Sequence, residues 1–257
     1  MPKAFRKTLQ SSSWTGESQT LSPRTHQELR GGKTTLAIKQ VMRGFFNNRP
    51  SFPHYTQTWD VGLPLADLRK MWPHEDLDWR DLQIKVIMLI TFVTASRIST
   101  IQSLCLDDLT ISAVAIFRPS TIQKTSQSGI HPVLRLAPYP AEPPICPHLA
   151  LCDFLLHTQG FREKRALFLI QNSPFSGPSK DTIRHWIKDF LAKSGVDKNV
   201  FGAHTTRSAS TSKAAKQVRI QDILNAAGWT SESTFARFYH RPIVDPNAFQ
   251  NAVLATE

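Results

Sequence analysis

The run at residues 78–95, DWRDLQIKVIMLITFVTA, constrains the fold more than any other stretch of the chain. Its apolar residues occur all round a helical projection instead of along one stripe. A helix of that kind is buried, so this one belongs at the centre of a domain with other elements packed about it. Its apolar part, 86–95, has about half the length needed to span a bilayer, so it reads as a core helix and no membrane partner is expected. Arg97 follows at the helix end, and Ile98, Ile101, Leu104 and Leu106 carry the apolar spacing into a second helix. A charged group tied to the end of a buried helix is held rigidly, as catalysis requires.

The other segments arrange themselves around that centre. Residues 1–33 hold few large apolar side chains and read as a disordered tail. Residues 34–75 read as a short leading element: a helix over 35–48 with Leu36, Ile38, Val41 and Phe45, then an extended, Pro-containing stretch over 50–64. The main domain runs from 76 to 242, with a tail at 243–257. Within it, 111–117, a segment around 121–124 and 133–137 are strand-like, and 125–129 supplies turn chemistry. They predict a small three-stranded antiparallel sheet with Lys124 at a hairpin. Residues 145–159 read as a helix and 166–170 as a short strand. Ser179 is placed to cap a helix over 180–194, whose stripe is Ile183, Trp186, Ile187, Phe190 and Leu191, and Gly195 ends it. The fold class expected is mainly α with a small antiparallel β-sheet.

The stretch 203–242 concentrates the chemistry. His204 and Arg207 open it, and Tyr239, His240, Arg241 and the helix-stopping Pro242 close it. Between them Ile220, Ile223, Leu224 and Ala227 keep helical spacing up to Gly228. Thr230 and Ser231 are good N-cap residues for a last helix carrying Phe235, Phe238 and Tyr239. These short helices either converge a histidine, an arginine and a tyrosine on one phosphate, or form the basic end of a helical bundle around a core tyrosine. The formal net charge of +11 favours a polyanionic partner, nucleic acid ahead of a membrane surface. Three cysteines make no disulfide framework. Cys146, His148, Cys152 and His157 match no zinc spacing, and a helix starting at Pro147 would spread them around its surface, so no metal is expected.

Taken in order, Arg97, Lys124, His204, Arg207, Trp229 and Tyr239 form the constellation that matters. With TASRISTIQSLCLDDL, IQKTSQSG, PPICPHLALCDFL, TIRHWIKDFLAKSGV, HTTRSASTSKAA and AAGWTSESTFARFYHRP, it resembles the tyrosine recombinases. Within them it looks like the eukaryotic transposon-borne branch of DIRS-type retroelements and Cryptons, distantly related to phage integrases, Cre and Xer. The resemblance runs from about Thr35 to Arg241. It implies the catalytic domain of a DNA breaking-rejoining enzyme that acts on double-stranded DNA as a homo-tetramer, in the nucleus, without metal or other cofactor. Tyr239 would attack a DNA phosphate to give a 3′-phosphotyrosyl link and a free 5′-hydroxyl. Arg97 and Arg207 would hold the non-bridging oxygens, and Lys124 would protonate the leaving 5′-oxygen. His204 would act as base or proton relay, and Trp229 would occupy a position filled by His or Trp.

Elementary chemistry is consistent with these roles. Planar guanidinium groups bind pairs of phosphate oxygens, where transition-state charge collects. A tyrosine with a pKa near 10 needs neighbouring cations and a proton acceptor to attack at neutral pH. The chain has three tyrosines, and Tyr55 and Tyr139 lie in Pro-rich, extended contexts, which leaves Tyr239. The chain also departs from the family pattern. Thr100 stands where many bacterial and phage members carry an acid. Gln217, Val218 and Arg219 stand where relatives usually have a glycine-containing turn, which would strain the link between two helices. Only one helix resembles the N-terminal DNA-clamping domain. Two further readings follow: a catalytically silent DNA-binding remnant, and a type IB topoisomerase sharing the tyrosyl chemistry.

Overall fold

A computed structural model describes residues 33–48, 55–120 and 133–243. The chain divides into two units, Met1–Phe52 and Pro53–Glu257. The first contributes helix α1 (Lys33–Asn48), on which Leu36, Ile38, Val41, Met42 and Phe45 are exposed.

The second unit runs α2 (Gly62–Lys70), α3 (Trp79–Thr94), α4 (Ile98–Gln102), β1 (Leu109–Ile111), β2 (Ala115–Phe117), β3 (Leu134–Leu136), α5 (Pro147–Thr158), α6 (Lys180–Lys193), α7 (Thr205–Ala214), α8 (Ile220–Ala227) and α9 (Glu232–Phe238). The mainly helical fold with a small antiparallel sheet is the one expected. Helix α3 starts at the Asp78 cap, whose side chain accepts from the Arg80 N–H. Leu82, Val86, Ile87, Met88, Leu89 and Ile90 are at most 1% exposed, and α4, α5, α6, α7 and β3 all pack on the helix. Consecutive residues of a helix point about 100° apart, so burial of five in a row requires neighbours on every side. Each such aliphatic side chain contributes about 1.5–3 kcal/mol to folding.

Helix α6 presents Ile183, Ile187 and Leu191 to the same core. The Ser179 hydroxyl accepts from Thr182 N–H at 3.0 Å. Gly195, at φ 85°, ends the helix in a conformation that costs other residues energy. The sheet has order β1-β2-β3, with Thr110 opposite Ile116 and Ile116 opposite Arg135. Ala115, Phe117, Leu134 and Leu136 face inward and Arg135 outward, the alternation of a sheet with one wet face.

Several expectations need correction. The run 111–117 is not one strand but a hairpin, folded at Ser112, whose N–H donates to the Val114 carbonyl at 3.3 Å. Ala113 and Val114 lack the side chains that mark turns, so the sequence gives no warning. The segment expected as a strand around 121–124, with Lys124, lies outside the described residues. Residues 166–170 form no strand: Ala166 makes one isolated bridge to Cys105. Leu167, Phe168 and Leu169 are buried core filling, secured by Gln83, whose side chain bonds both the N–H (2.7 Å) and the carbonyl (3.0 Å) of Leu169.

The second helix stops at Gln102, and Leu104 follows a turn. The stretch read as extended over 50–64 enters helix α2 at Gly62, with Pro64 in the first turn, where a missing N–H breaks no helical bond. Trp59, Val61 and Leu68 belong to the main core. Between α7 and α8 no described residue takes a positive φ, and Val218 N–H bonds the Ala214 carbonyl at 3.0 Å. The link therefore needs no glycine and carries no strain of that kind. No helix among the described residues is long and apolar enough to cross a membrane.

Candidate active site

A second, smaller apolar cluster gathers Ala95, Ile223, Leu224, Ala227, Trp229 and Phe235, with Tyr239 packed against it. It lies where the C-terminal end of α3 meets α7, α8 and α9. Ala95 ends α3 in the left-handed region (φ 45°, ψ 34°) while 4% exposed. That conformation costs an L-residue about 1–2 kcal/mol. It redirects the chain so that Arg97 stands, half-buried, at the start of α4.

Helix α7 supplies the second arginine. Its first turn is fixed from below: Trp59 Nε1 donates to Thr205 Oγ1 at 2.9 Å, and Thr205 and Thr206 hydroxyls donate to the Gly202 and Ala203 carbonyls. Arg207 is consequently only 5% exposed. Its guanidinium lies 4.4 Å from the Trp229 ring centroid and 5.4 Å from that of Tyr239. The Trp229 and Tyr239 rings are themselves 4.4 Å apart, tilted by 35°. Arg207 Nη2 donates to the Ala227 carbonyl at 2.5 Å. Gly228, in the left-handed conformation at the end of α8, turns the chain so that Trp229 N–H reaches the Leu224 carbonyl at 2.8 Å and the indole enters the cluster.

Two donors in this stack have no partner among the described residues: Arg207 Nε and Trp229 Nε1, both buried. No carboxylate lies within ion-pair distance of Arg97 or Arg207 among those residues either. Burial first, and then the charge of Arg97, pull the Arg207 pKa down to about 10, with Tyr239 offsetting part of the loss. The guanidinium stays charged at neutral pH, but it is a desolvated cation beside a second cation. Such a site favours an anion with several acceptor oxygens.

Tyr239 lies just past α9, not within it, with its N–H on the Phe235 carbonyl at 2.9 Å and its ring half-buried. Its carbonyl accepts from the Ser208 hydroxyl at 2.8 Å and the Ser212 hydroxyl at 2.9 Å. Arg241 N–H donates to Ser212 Oγ at 2.9 Å, and Arg241 Nε donates to the Tyr55 carbonyl at 2.8 Å. Thr58 N–H bonds the Pro242 carbonyl at 2.9 Å, so the segment after the tyrosine is held on both sides.

Of the six residues singled out in the sequence, the fold stacks Arg207, Trp229 and Tyr239 directly and brings Arg97 within electrostatic reach. His204 occupies the N-cap position of α7 with an exposed ring against Tyr55, centroids 5.5 Å apart. Lys124 is outside the described residues. Sequence reasoning gave no role at the site to Ser208, Ser212, Arg241 or Tyr55. The one available signal was the pair of hydroxyls a turn apart in RSASTS, immediately after Arg207. The suspected Cys/His cluster has local tasks: Cys146 Sγ accepts the Tyr139 and Leu149 N–H groups, and Cys152 Sγ lies 3.9 Å from His148 Nδ1.

The profile of the phage integrase family matches residues 66–242, more than half of the chain. The chain belongs to the phage integrase family. No curated protein sequence matches it. Among solved structures it is similar to the XerH site-specific recombinase bound to its difH substrate in a pre-cleavage complex, with a TM-score of 0.55 and 14% identity over 78% of this chain and 53% of that one. It is also similar to the XerA recombinase, with a TM-score of 0.54 and 16% identity over 92% of this chain and 84% of that one. The chain thus spans about half of XerH and most of XerA, and at these identities the likeness concerns the fold. The arginine–tryptophan–tyrosine stack lies within the matched span.

Proposed function

We propose that this phage integrase family member is a tyrosine recombinase that cleaves and rejoins DNA through a 3′-phosphotyrosyl intermediate, as part of the recombination of a eukaryotic mobile element. The observation that carries the reading is the pair of buried donors without a partner among the described residues, Arg207 Nε and Trp229 Nε1, in a cationic stack that includes the Tyr239 ring. Leaving a buried donor unpaired costs about 1–3 kcal/mol. A scissile phosphate offers the acceptors and the negative charge that this stack lacks.

In the proposed reaction the Tyr239 phenol oxygen forms a bond to phosphorus as the bond to the 5′-oxygen breaks. The phenol proton passes to His204 or a relay beginning there, and Lys124 donates a proton to the leaving 5′-oxygen. Arg97, Arg207 and Trp229 hold the equatorial oxygens, where hydrogen bonds in a desolvated site contribute most. The ester conserves the phosphodiester bond energy, so the reverse attack by a 5′-hydroxyl reseals the strand. Binding is electrostatic in large part, consistent with the +11 net charge, and weakens steeply with salt. The active species is a tetramer on DNA, in the nucleus.

The test is covalent trapping. The protein is incubated with a randomised pool of nicked or bridging-phosphorothiolate duplexes, and SDS-resistant complexes are selected and amplified. An adduct that enriches particular sequences and is absent with Tyr239→Phe supports the proposal. Salt-sensitive DNA binding by both proteins with no adduct from either identifies a silent DNA-binding remnant instead.

A further inference from the structure

We propose that Ser208 and Ser212 are positioning residues for Tyr239, fixing the nucleophile in the same rigid frame as Arg207. The inference rests on the reading of Tyr239 as nucleophile given above.

A hydroxyl inside a helix ordinarily bonds a carbonyl of the preceding turn. Thr211 does so, donating to the Arg207 carbonyl at 2.7 Å. Ser208 and Ser212 instead reach out of α7, and both donate to the one carbonyl of Tyr239, at 2.8 and 2.9 Å. Four residues apart, they stand one above the other on a single helix face. A carbonyl oxygen has two lone pairs, and the two hydroxyls occupy both. Ser212 Oγ also accepts from Arg241 N–H at 2.9 Å, so both its donor and its acceptor capacity serve the segment that carries the tyrosine.

Tyr239 needs such an attachment. It sits just past a seven-residue helix, at φ −125° and ψ −30°, where its N–H still bonds the Phe235 carbonyl but its own carbonyl lies beyond the helical bonding. Ser208 directly follows Arg207, so the bonds that hold the tyrosine backbone originate one residue from the buried guanidinium. Attack on phosphorus requires the phenol oxygen in line with the leaving group while the arginine holds the equatorial oxygens. A shift of about 1 Å between such groups costs about 100-fold in rate. The bonds of both serines go to backbone groups and not to the phenol or guanidinium, so they act on the geometry of the chemical step and leave the charge that binds DNA unaltered.

The experiment compares Ser208→Ala, Ser212→Ala, the double variant and Ser208→Thr with the wild-type chain. The readouts are the single-turnover rate of adduct formation on the selected duplex, the Kd for DNA, and hydrogen exchange at the Arg241 amide. The double variant is expected to form adduct about 10- to 100-fold more slowly. Its Kd should stay within about twofold, exchange at Arg241 should accelerate by about tenfold or more, and α8 should exchange as before. Ser208→Thr, which keeps the hydroxyl, is expected to retain the wild-type rate. If the double variant does not fold, the single variants give the same comparison with smaller effects. Adduct formation at the wild-type rate in the alanine variants overturns the positioning role. A wild-type chain that forms no adduct overturns the nucleophile reading; the attachment is then judged on exchange alone, and unchanged Arg241 exchange in the double variant overturns it too.

Discussion

Replacing Trp229 by phenylalanine separates what the indole does for the fold from what it does for the reaction. The side chain is 8% exposed, packed against both the Arg207 guanidinium at 4.4 Å and the Tyr239 ring at 4.4 Å, and its Nε1 has no partner among the described residues. Phenylalanine keeps an aromatic face for both neighbours and loses about 40 Å² of buried apolar surface, worth about 1 kcal/mol. It also removes an unsatisfied buried N–H, which relieves about 1–3 kcal/mol. Denaturant unfolding should therefore find Trp229→Phe between unchanged and about 2 kcal/mol more stable than wild type. The chemical step should move the other way. Losing one preorganised donor to the transition-state oxygens costs about 2.7–4 kcal/mol, a rate lower by about 100- to 1,000-fold in single-turnover adduct formation. A variant that cleaves within threefold of wild type refutes the donor role of Nε1. A variant destabilised by more than about 3 kcal/mol refutes the claim that this N–H is an energetic debt of the folded state.

Other consequences follow from the same structure. Arg207→Lys keeps the charge, but a lysine cannot lie flat on Trp229 while donating to the Ala227 carbonyl; adduct formation should fall at least about 100-fold while the Kd for DNA changes little. Lys85 is fully buried with its ammonium on the Met71 carbonyl, and burial lowers its pKa to about 8 from an ordinary 10.5. The folded state releases this proton before the unfolded state does, so Lys85 lowers stability at and below pH 8, and the loss fades as pH rises towards 10.5. Lys85→Met should consequently raise unfolding free energy at pH 7 by about 1–3 kcal/mol, with a smaller gain at pH 10, as urea titrations at the two pH values will read out. Ala95→Val places a β-branched residue in a buried left-handed position and should cost about 2–3 kcal/mol, seen as a lower Tm.

Much of the frame is legible in the sequence because it depends on local pattern. The all-round apolar helix α3, the Ser179 cap, the stripe of α6 and the stop at Gly228 each follow from residue type and spacing, and each is present. The hairpin at 112–114 is not legible, because Val114 and Ala113 look like strand. The buried run 166–170 misleads because an apolar pentapeptide fits a strand or core filling equally well, and the deciding contact is Gln83, far away in sequence. The candidate site divides in the same way. Arg207, Trp229 and Tyr239 are legible as residue types in order, but their stacking depends on helices packing after the turn at Gly228. Neither the left-handed Ala95 nor the hydroxyl pair on the Tyr239 carbonyl leaves a periodic trace, since one is a backbone conformation and the other a contact across about 30 residues.

The central claim is that Tyr239 becomes covalently joined to DNA, and the most direct measurement is the position and polarity of that bond. SDS-resistant complexes from a suicide duplex are digested with nuclease and protease and sequenced by tandem mass spectrometry, and the released strand end is tested for phosphorylation by kinase. The account predicts a nucleotide attached through its 3′-phosphate to the peptide containing Tyr239, with a free 5′-hydroxyl on the other end. An adduct on Tyr55 or Tyr139, a 5′-phosphotyrosyl linkage, or unmodified Tyr239 in protein bound to its selected duplex would contradict it.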